Sequence, residues 1–277
     1  MKYLIVKAIL GFGDRLESLK MCVDYAIKYN LKLYIDWSDK TWKEGFYRYF
    51  SLDVDMFTLD EITDSETVFP QYWKGKLNEI LTLETSNLHN SELDIGQLMN
   101  PLPYDVIVTV CTGRRTVYND SLFFAKRFRV IDTRIIEEVK RRRELYNLEN
   151  KWGIHLRGTD RASSLAYKHK RMSELTIKLV SQGLFSGAKL VVVSDDKEYI
   201  DMWKQRFPDF PIITNITKST GRIGKHLIET ESKDENNVDL LIDFFTLASC
   251  QRLYSTSPDS RFAREASKLS RYVYQII

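Results

Sequence analysis

Two arginines flank a short polar loop that directly follows a predicted buried strand. The strand covers residues 153–157, and the polar loop continues it as Arg157-Gly158-Thr159-Asp160-Arg161. In open α/β sheets, ligands bind outside the carboxyl ends of the strands. A guanidinium held there offers a rigid fork of donors that matches phosphate oxygens. The run therefore predicts a site for a phosphorylated ligand.

Three further polar groups follow predicted strands or begin predicted helices in the same half of the chain. They are Ser194-Asp195-Asp196, the pair Asp239 and Asp243, and Thr256-Ser257-Pro258-Asp259-Ser260-Arg261. Free N–H groups and hydroxyls at a helix start bind anions, so we expect Arg157 and the turn at Ser260 to hold a diphosphate. Asp243 or Asp195 would then accept hydrogen bonds from a base or ribose. Taken alone, each group also fits a structural ion pair or a helix cap.

Alternating apolar strands and amphipathic helices predict the framework that positions these groups. In the first half, a strand over 2–10, a tight loop over 11–15, a helix over 14–29 and a strand over 31–35 form a parallel unit. A strand over 105–110 and a charged helix over 133–145 follow. The second half shows strands at 153–157, 189–194, 211–214, 253–256 and 272–277, with helices at 172–182, 197–206, 238–250 and 261–269. This alternation predicts an α/β fold with a doubly wound parallel sheet in each half. The expected domains are 1–148 and 149–277, both Rossmann-like and facing a cleft.

The overall composition fits a globular chain and does not indicate nucleic-acid binding. The 277 residues are 43% hydrophobic and 29% charged, with a net charge of +3; a nucleic-acid binder usually shows a clustered basic face. No run approaches the roughly 20 apolar residues of a membrane span. Cys22, Cys111 and Cys250 fit no disulfide framework or zinc spacing and are expected to be buried. We therefore expect a soluble protein of a reducing, cytoplasmic compartment, with its oligomeric state open.

The motifs resemble, in order and spacing, those of the fucosyltransferase superfamily, especially its nodulation-type and core α1,6-fucosyltransferases. The matching series is His155-x-Arg157-x-Thr159-Asp160, Ser194-Asp195-Asp196, Asp243-x-x-x-Leu247 and Thr256-x-x-x-Ser260-x-x-x-Arg264. Near the start of the chain, Gly11-Phe12-Gly13-Asp14-Arg15-Leu16 resembles the family's Gly-x-Gly-Asn-Arg loop, and Ile35-Asp36-Trp37 fits a strand end. The resemblance covers most of 150–277 well and about 1–37 moderately.

The resemblance implies a GT-B architecture, with the nucleotide-sugar donor in the C-terminal domain and an inverting reaction that needs no metal or other cofactor. Arg157 would contact the β-phosphate, assisted by Arg161 and Ser260, and would carry most of the catalysis. Asp243 and Asp195 would contact the nucleoside, while Asp14 and Arg15 would line the cleft from the other domain. The implied donor-binding set is Gly13, Arg15, His155, Thr159, Asp160, Arg161, Ser194, Asp195, Asp243, Ser257, Asp259, Ser260 and Arg264. As the carboxylate that deprotonates the acceptor we expect Asp14 first and Asp36 second.

Two positions depart from the family pattern. Gly158 stands where the core fucosyltransferases have a second arginine, and Leu165 where they place a glutamate near the donor sugar. The donor is therefore expected to be GDP-fucose or a UDP-sugar such as UDP-xylose, and the acceptor an oligosaccharide. Two alternatives are a non-catalytic glycan- or nucleotide-binding module of the same fold, and a metal-dependent GT-A transferase that uses Asp53 and Asp55.

Overall fold

A computed structural model describes residues 2–89, 101–111, 121–158, 164–183, 189–210, 212–214 and 233–277. Within these ranges the strands are β1 (Tyr3–Ala8), β2 (Lys32–Asp36), β3 (Phe50–Leu52), β4 (Val68–Phe69), β5 (Val106–Cys111), β6 (Phe128–Val130), β7 (Trp152–Leu156), β8 (Leu190–Ser194) and β9 (Arg252–Ser255). The α-helices there are α1 (Phe12–Lys28), α2 (Leu83–His89), α3 (Ser121–Ala125), α4 (Thr133–Tyr146), α5 (Leu165–Ser181), α6 (Lys197–Arg206), α7 (Lys233–Ala248), α8 (Arg261–Leu269) and α9 (Val273–Ile276). The chain divides into two compact units, Met1–Asp132 with Tyr274–Ile277 and Thr133–Val273.

The first unit is built on a parallel four-stranded sheet in the order β2-β1-β5-β4. Strand β1 is buried along its whole length and pairs on both sides, with Val6 opposite Ile35 and Thr109. A parallel sheet has to be covered on both faces. Helix α1 packs against β1, β2 and β5, and apolar residues from the 57–81 segment cover Tyr3 and Ile5. Strands β3 and β6 form a separate antiparallel pair.

Helix α1 begins earlier than the sequence predicts. The predicted loop over 11–15 is reduced to Gly11, whose extended backbone forms the N-cap and whose carbonyl accepts from the N–H of Asp14 at 2.9 Å. Phe12 is buried, and its ring lies 5.9 Å from that of Trp42. Burial of this ring accounts for the start of the helix at Phe12, two residues before the predicted start.

The second unit contains a parallel three-stranded sheet in the order β8-β7-β9. Ile154 in the central strand lies opposite Val192 on one side and Tyr254 on the other. Helices α5 and α6 supply the core that covers Ile154, while α7 packs on the other face, where a Cβ at Gly153 would meet Cys250 Sγ at 3.0 Å. Strands β8 and β9 thus lie on the two sides of β7, and helices cover both faces of the sheet. This is the doubly wound arrangement predicted for this half.

Helix α4 belongs to the second unit, so the division falls after Asp132 and not after residue 148. The guanidinium of Arg142 is buried and donates to Asp243 of α7 at 2.9 Å. Arg141 and Arg142 also bind Glu138 at 2.7 and 2.9 Å. Hydrogen bonding from Arg141 lowers the pKa of Glu138 to about 2, against the smaller opposing effect of burial. The sequence predicts a boundary at the end of this helix, whereas its arginines bind the helix to the unit that follows.

Three other sequence predictions need correction. The predicted last strand over 272–277 is a 3₁₀ turn followed by α9, because Val273 and Ile276 are buried at a helical spacing. The predicted strand over 211–214 is reduced to a single bridge between Ile212 and Val192. Helix α5 begins at Leu165 and not at residue 172, since Ser164 caps it.

Two predictions about burial and membranes can be compared with the described residues. Cys22 and Cys250 are buried as predicted, while the side chain of Cys111 lies outside the described residues. Burial raises the pKa of Cys250 to about 12. Among the helices that the structure describes, none is long and apolar enough to cross a lipid bilayer.

Candidate active site

The three strands of the second sheet end in polar residues that meet at one edge. Arg157 follows β7, Asp195 follows β8 and Thr256 follows β9. The backbone N–H of Arg157 donates to Thr256 Oγ1 at 2.9 Å, and the N–H of Gly158 donates to Asp195 Oδ1 at 2.8 Å. Parallel strands place their carboxyl ends together, so groups that are distant in sequence form one cluster here.

The guanidinium of Arg157 is ion-paired with Asp195 inside the unit. The sequence predicts that Arg157 faces a ligand and that Asp195 contacts a nucleoside. In the structure the two side chains bind each other, and their contact with a ligand stays a prediction. The strand register explains this contact. Leu156 of β7 is paired with Ser194 of β8, so the residues that follow them, Arg157 and Asp195, are neighbours. The side chains are 15% and 12% exposed, so solvent still reaches the pair. Asp195 thus fixes the orientation of the arginine.

Lys168 is a buried cation that the sequence analysis missed. Its Nζ lies 2.6 Å from Asp196 Oδ2 and 2.6 Å from Glu198 Oε2. Burial alone would lower the pKa of Lys168, but hydrogen bonds and charges from the two carboxylates raise it above its ordinary value. The available signal was its position four residues before Met172, on the apolar face of α5.

Gly158 has no room for a side chain. A Cβ at this position would lie 2.4 Å from both Cβ and Cγ of Asp196. Asp196 cannot easily move away, because its carboxylate caps α6 by accepting from the N–H of Tyr199 at 3.0 Å and also binds Lys168. Position 158 therefore requires a glycine, because Asp196 leaves no space for a side chain there.

The turn after β9 caps helix α8. Ser260 is buried, and its Oγ accepts from the N–H of Ala263 at 3.3 Å. The N–H of Ser257 donates to Ser255 Oγ at 3.1 Å. Asp259 and Arg264 are exposed on the same turn and on the first part of α8. These residues line the edge at which Arg157 lies, with the Ser260 hydroxyl occupied by its helix.

Two other predicted residues lie inside the unit. Ser194 is buried, and its Oγ accepts from the N–H of Asp196 at 3.1 Å and lies 3.0 Å from the carbonyl oxygen of Leu156. His155 is buried in the central strand, with its ring 5.2 Å from that of Phe262. Their contacts support the sheet edge rather than present groups to solvent.

Asp243 is placed differently from the expectation. Its Oδ1 accepts from Arg142 at 2.9 Å, and its Oδ2 accepts from Thr214 Oγ1 at 2.7 Å. The residue is buried, so both oxygens serve contacts between α4, α7 and the segment after β8. Asp243 therefore has a structural role that its sequence neighbourhood does not indicate, and its predicted contact with a nucleoside stays a prediction.

Arg15 also has a structural position. It is fully buried, and its guanidinium donates to Asp39 Oδ2 at 2.5 Å, to Thr41 Oγ1 at 3.0 Å and to the carbonyl oxygen of Leu10 at 2.6 Å. Full burial of this guanidinium against the loop after β2 corrects the expectation that Arg15 lines a cleft. Gly13 is buried in the same turn.

The two candidate bases differ in their surroundings. Asp14 is partly exposed in the first turn of α1. Asp36 ends β2 and binds the fully buried Lys7 at 2.5 Å and the N–H of Ser38 at 3.1 Å. Burial alone would raise the pKa of Asp36, but the charge of Lys7 and these hydrogen bonds hold it below its ordinary value. A carboxylate so stabilised is a weaker proton acceptor, which favours Asp14.

Some predicted residues fall where the structure gives no description or little support. Thr159, Asp160 and Arg161 lie outside the described residues. Asp53 and Asp55, of the GT-A alternative, are exposed on the segment after β3. Across the described part of the chain, no three His, Cys, Asp or Glu side chains are grouped so that they could hold a metal ion.

No protein-family model and no curated protein sequence matches the chain. Solved structures do match it. NodZ α-1,6-fucosyltransferase co-crystallised with GDP is 18% identical, with a TM-score of 0.72 over 96% of this chain and 92% of that one. A NodZ structure from Bradyrhizobium gives a TM-score of 0.70 at 18% identity, covering 96% of this chain and 92% of that one.

Two further fucosyltransferase structures match at lower scores. POFUT1 in complex with GDP is 12% identical, with a TM-score of 0.56 over 99% of this chain and 97% of that one. A mutant of Arabidopsis thaliana FUT1 in complex with GDP is 14% identical, with a TM-score of 0.55 over 97% of this chain and 68% of that one. At these identities the likeness shows the fold, and the chain has the GT-B fold of the fucosyltransferases, as its motifs predicted.

Proposed function

We propose that the protein is a glycosyltransferase that moves a sugar from a nucleoside-diphosphate donor to an oligosaccharide acceptor. One observation carries the proposal: Arg157, held by Asp195, lies at the carboxyl edge of a sheet in a fold shared with enzymes solved with GDP and GDP-fucose. Ligands of such sheets bind at this edge. A guanidinium oriented by a carboxylate suits the diphosphate of a nucleotide sugar.

The proposed reaction is a single displacement that inverts the anomeric carbon. An acceptor hydroxyl attacks that carbon while the nucleoside diphosphate leaves, and negative charge grows on the leaving phosphate oxygens. Arg157 stabilises this charge, because Asp195 has already fixed its orientation and little reorganisation is needed. Asp14 accepts the proton of the acceptor hydroxyl, and the mechanism uses no metal ion.

A panel of sugar nucleotides tests the proposal and identifies the donor. GDP-fucose and UDP-xylose are incubated with the full chain, with and without an oligosaccharide acceptor and with EDTA throughout, and the release of GDP or UDP is measured. We expect release from one donor, faster with acceptor. Failure of GDP and of UDP to shift the thermal unfolding temperature would contradict the proposal.

Substitution at the arginine adds a second arm to this experiment. We expect Arg157→Ala to lower turnover by about 10²–10³, as removal of a single charge-stabilising donor does in other enzymes. Arg252→Ala is the matched control, since Arg252 begins the neighbouring strand β9 at the opposite edge and stacks on Trp152. Equal turnover in both variants would exclude Arg157 from the reaction.

A non-catalytic nucleotide-binding module is the second candidate function. The ion pair between Arg157 and Asp195 favours it, because the carboxylate partly neutralises the charge that catalysis would use. Tight GDP binding without release from any donor would support this candidate. Turnover that Arg157→Ala abolishes would exclude it.

A further inference from the structure

Two consecutive aspartates contact the two residues that follow β7, Arg157 and Gly158. Asp195 accepts from the N–H of Gly158 at 2.8 Å and from the guanidinium of Arg157. Asp196 packs against the other side of the glycine so closely that an added Cβ would lie 2.4 Å away. The position of Asp196 therefore limits where Gly158, and with it Arg157, can lie.

Lys168 is the charge that keeps Asp196 in this place. Both side chains are nearly fully buried, and their charged atoms are 2.6 Å apart. A buried carboxylate that loses its partner is strongly unfavourable and moves toward water or takes up a proton. Glu198, the other partner of Lys168, is 62% exposed, so solvent can replace that contact. The pair with Asp196 is the contact of Lys168 that water cannot easily replace.

We propose that Lys168 is a positioning residue that orients Arg157 through Asp196 and Gly158. The inference rests on the proposed function for the role of Arg157, but the chain of contacts itself is independent of any ligand. Lys168 does not have to touch the nucleotide. Lys168 keeps Arg157 and Gly158 in one position, so that the guanidinium is already oriented when a diphosphate binds.

Amide hydrogen exchange in the full chain without nucleotide tests the rigidity directly. We expect Lys168→Met to raise exchange about tenfold or more in the peptide that contains Arg157 and Gly158, because local opening exposes those amides. Lys168→Arg keeps the charge and should stay within about threefold of the native rate. Lys170→Met, an exposed lysine on the same helix, is the matched control and should leave the exchange unchanged.

GDP titration of the same variants tests the consequence for binding. We expect Lys168→Met to weaken GDP about 10–100-fold, the size seen when outer partners of a site are removed, and Lys168→Arg to restore most of the affinity. If the native chain binds neither GDP nor UDP, the proposed function fails while the exchange result still decides the role of Lys168. If GDP binds and Lys168→Met changes neither the exchange nor the GDP affinity, the inference about Lys168 is overturned and the proposed function still holds.

A double variant covers the case in which Lys168→Met does not fold. Lys168→Met with Asp196→Asn leaves no buried charge unpaired, and asparagine still caps α6. We expect its β1 peptide in the first unit to exchange as in the native chain, while the peptide with Gly158 exchanges faster. Native exchange at both peptides would overturn the inference.

Discussion

Replacement of Gly158 by alanine is the most direct test of the packing at the sheet edge. The new Cβ would lie 2.4 Å from two carbon atoms of Asp196, and real Cβ atoms essentially never come closer than 3.0 Å to a neighbour. In such a tightly packed interior Asp196 must withdraw by at least about 0.6 Å. Withdrawal strains its bonds to the N–H of Tyr199 and to Lys168, which are 3.0 and 2.6 Å long.

The size of the effect follows from these two contacts. Overpacking of a well-packed site costs about 1–3 kcal/mol, and a weakened helix cap costs about 1 kcal/mol. We therefore expect Gly158→Ala to lower the free energy of unfolding of the second unit by about 2–4 kcal/mol. The two units need not unfold together, so the measurement is exchange of the most protected amides of β7, which reports on the second unit.

Two other glycines give matched controls for Gly158→Ala. Gly45, in the first unit, has an ordinary backbone conformation and nothing within 4 Å of an added Cβ. Gly45→Ala should therefore change the stability of that unit, measured by amide exchange of β1, by less than about 0.5 kcal/mol. Gly153→Ala would meet Cys250 Sγ at 3.0 Å and Leu247 at 3.1 Å, and its effect should fall between the other two. The reasoning is refuted if Gly158→Ala is as stable as Gly45→Ala.

Three other predictions follow from the described contacts. Arg15→Met should destabilise the first unit by about 3–5 kcal/mol, because Asp39 loses its buried partner; GDP affinity of the folded variant should not change, and a fall measured by titration calorimetry would restore a direct role. Because the pKa of Glu138 is lowered, its ion pairs should contribute fully to the free energy of unfolding above about pH 4.5, and this contribution should be lost as the pH falls toward about 2. The urea midpoint of Glu138→Gln should therefore fall less than that of the native chain over this range, and parallel curves would contradict the assignment. Asp14→Asn should slow acceptor-dependent turnover more than Asp36→Asn does, and the reverse order in a kinetic assay would make Asp36 the base.

Patterning of apolar residues was sufficient to predict the three-stranded sheet of the second unit and the helices that cover it, but it also predicted strands over 211–214 and 272–277 that the described residues do not form. The apolar runs that became β7, β8 and β9 are short and bounded by polar residues, and the helices between them show a 3.6-residue period. The meeting of their carboxyl ends follows from parallel pairing alone. For this reason the neighbourhood of Arg157, Asp195 and Thr256 was predictable.

The choice of side-chain partners was not predictable from local patterns. Asp243 binds Arg142, which is 101 residues away in the sequence, and Arg15 binds Asp39 across a loop. A charged residue looks the same in the sequence whether it faces water or a buried counterion. For that reason helix α4 was predicted to belong to the first domain, whereas the buried pair of Arg142 and Asp243 binds it to the second unit.

The central position of β7 has a consequence for how the chain is made. One neighbour of β7 is β9, and the hydrogen bond from Arg157 to Thr256 joins residues 99 positions apart. A nascent chain on the ribosome has to extend past β9 before that bond exists, and such distant pairings form slowly. In a fragment that stops before β9, β7 would be an edge strand, and the N–H of Arg157 would not have Thr256 as its acceptor. Under the proposed function, GDP in the cell would then stabilise finished chains selectively over truncated ones.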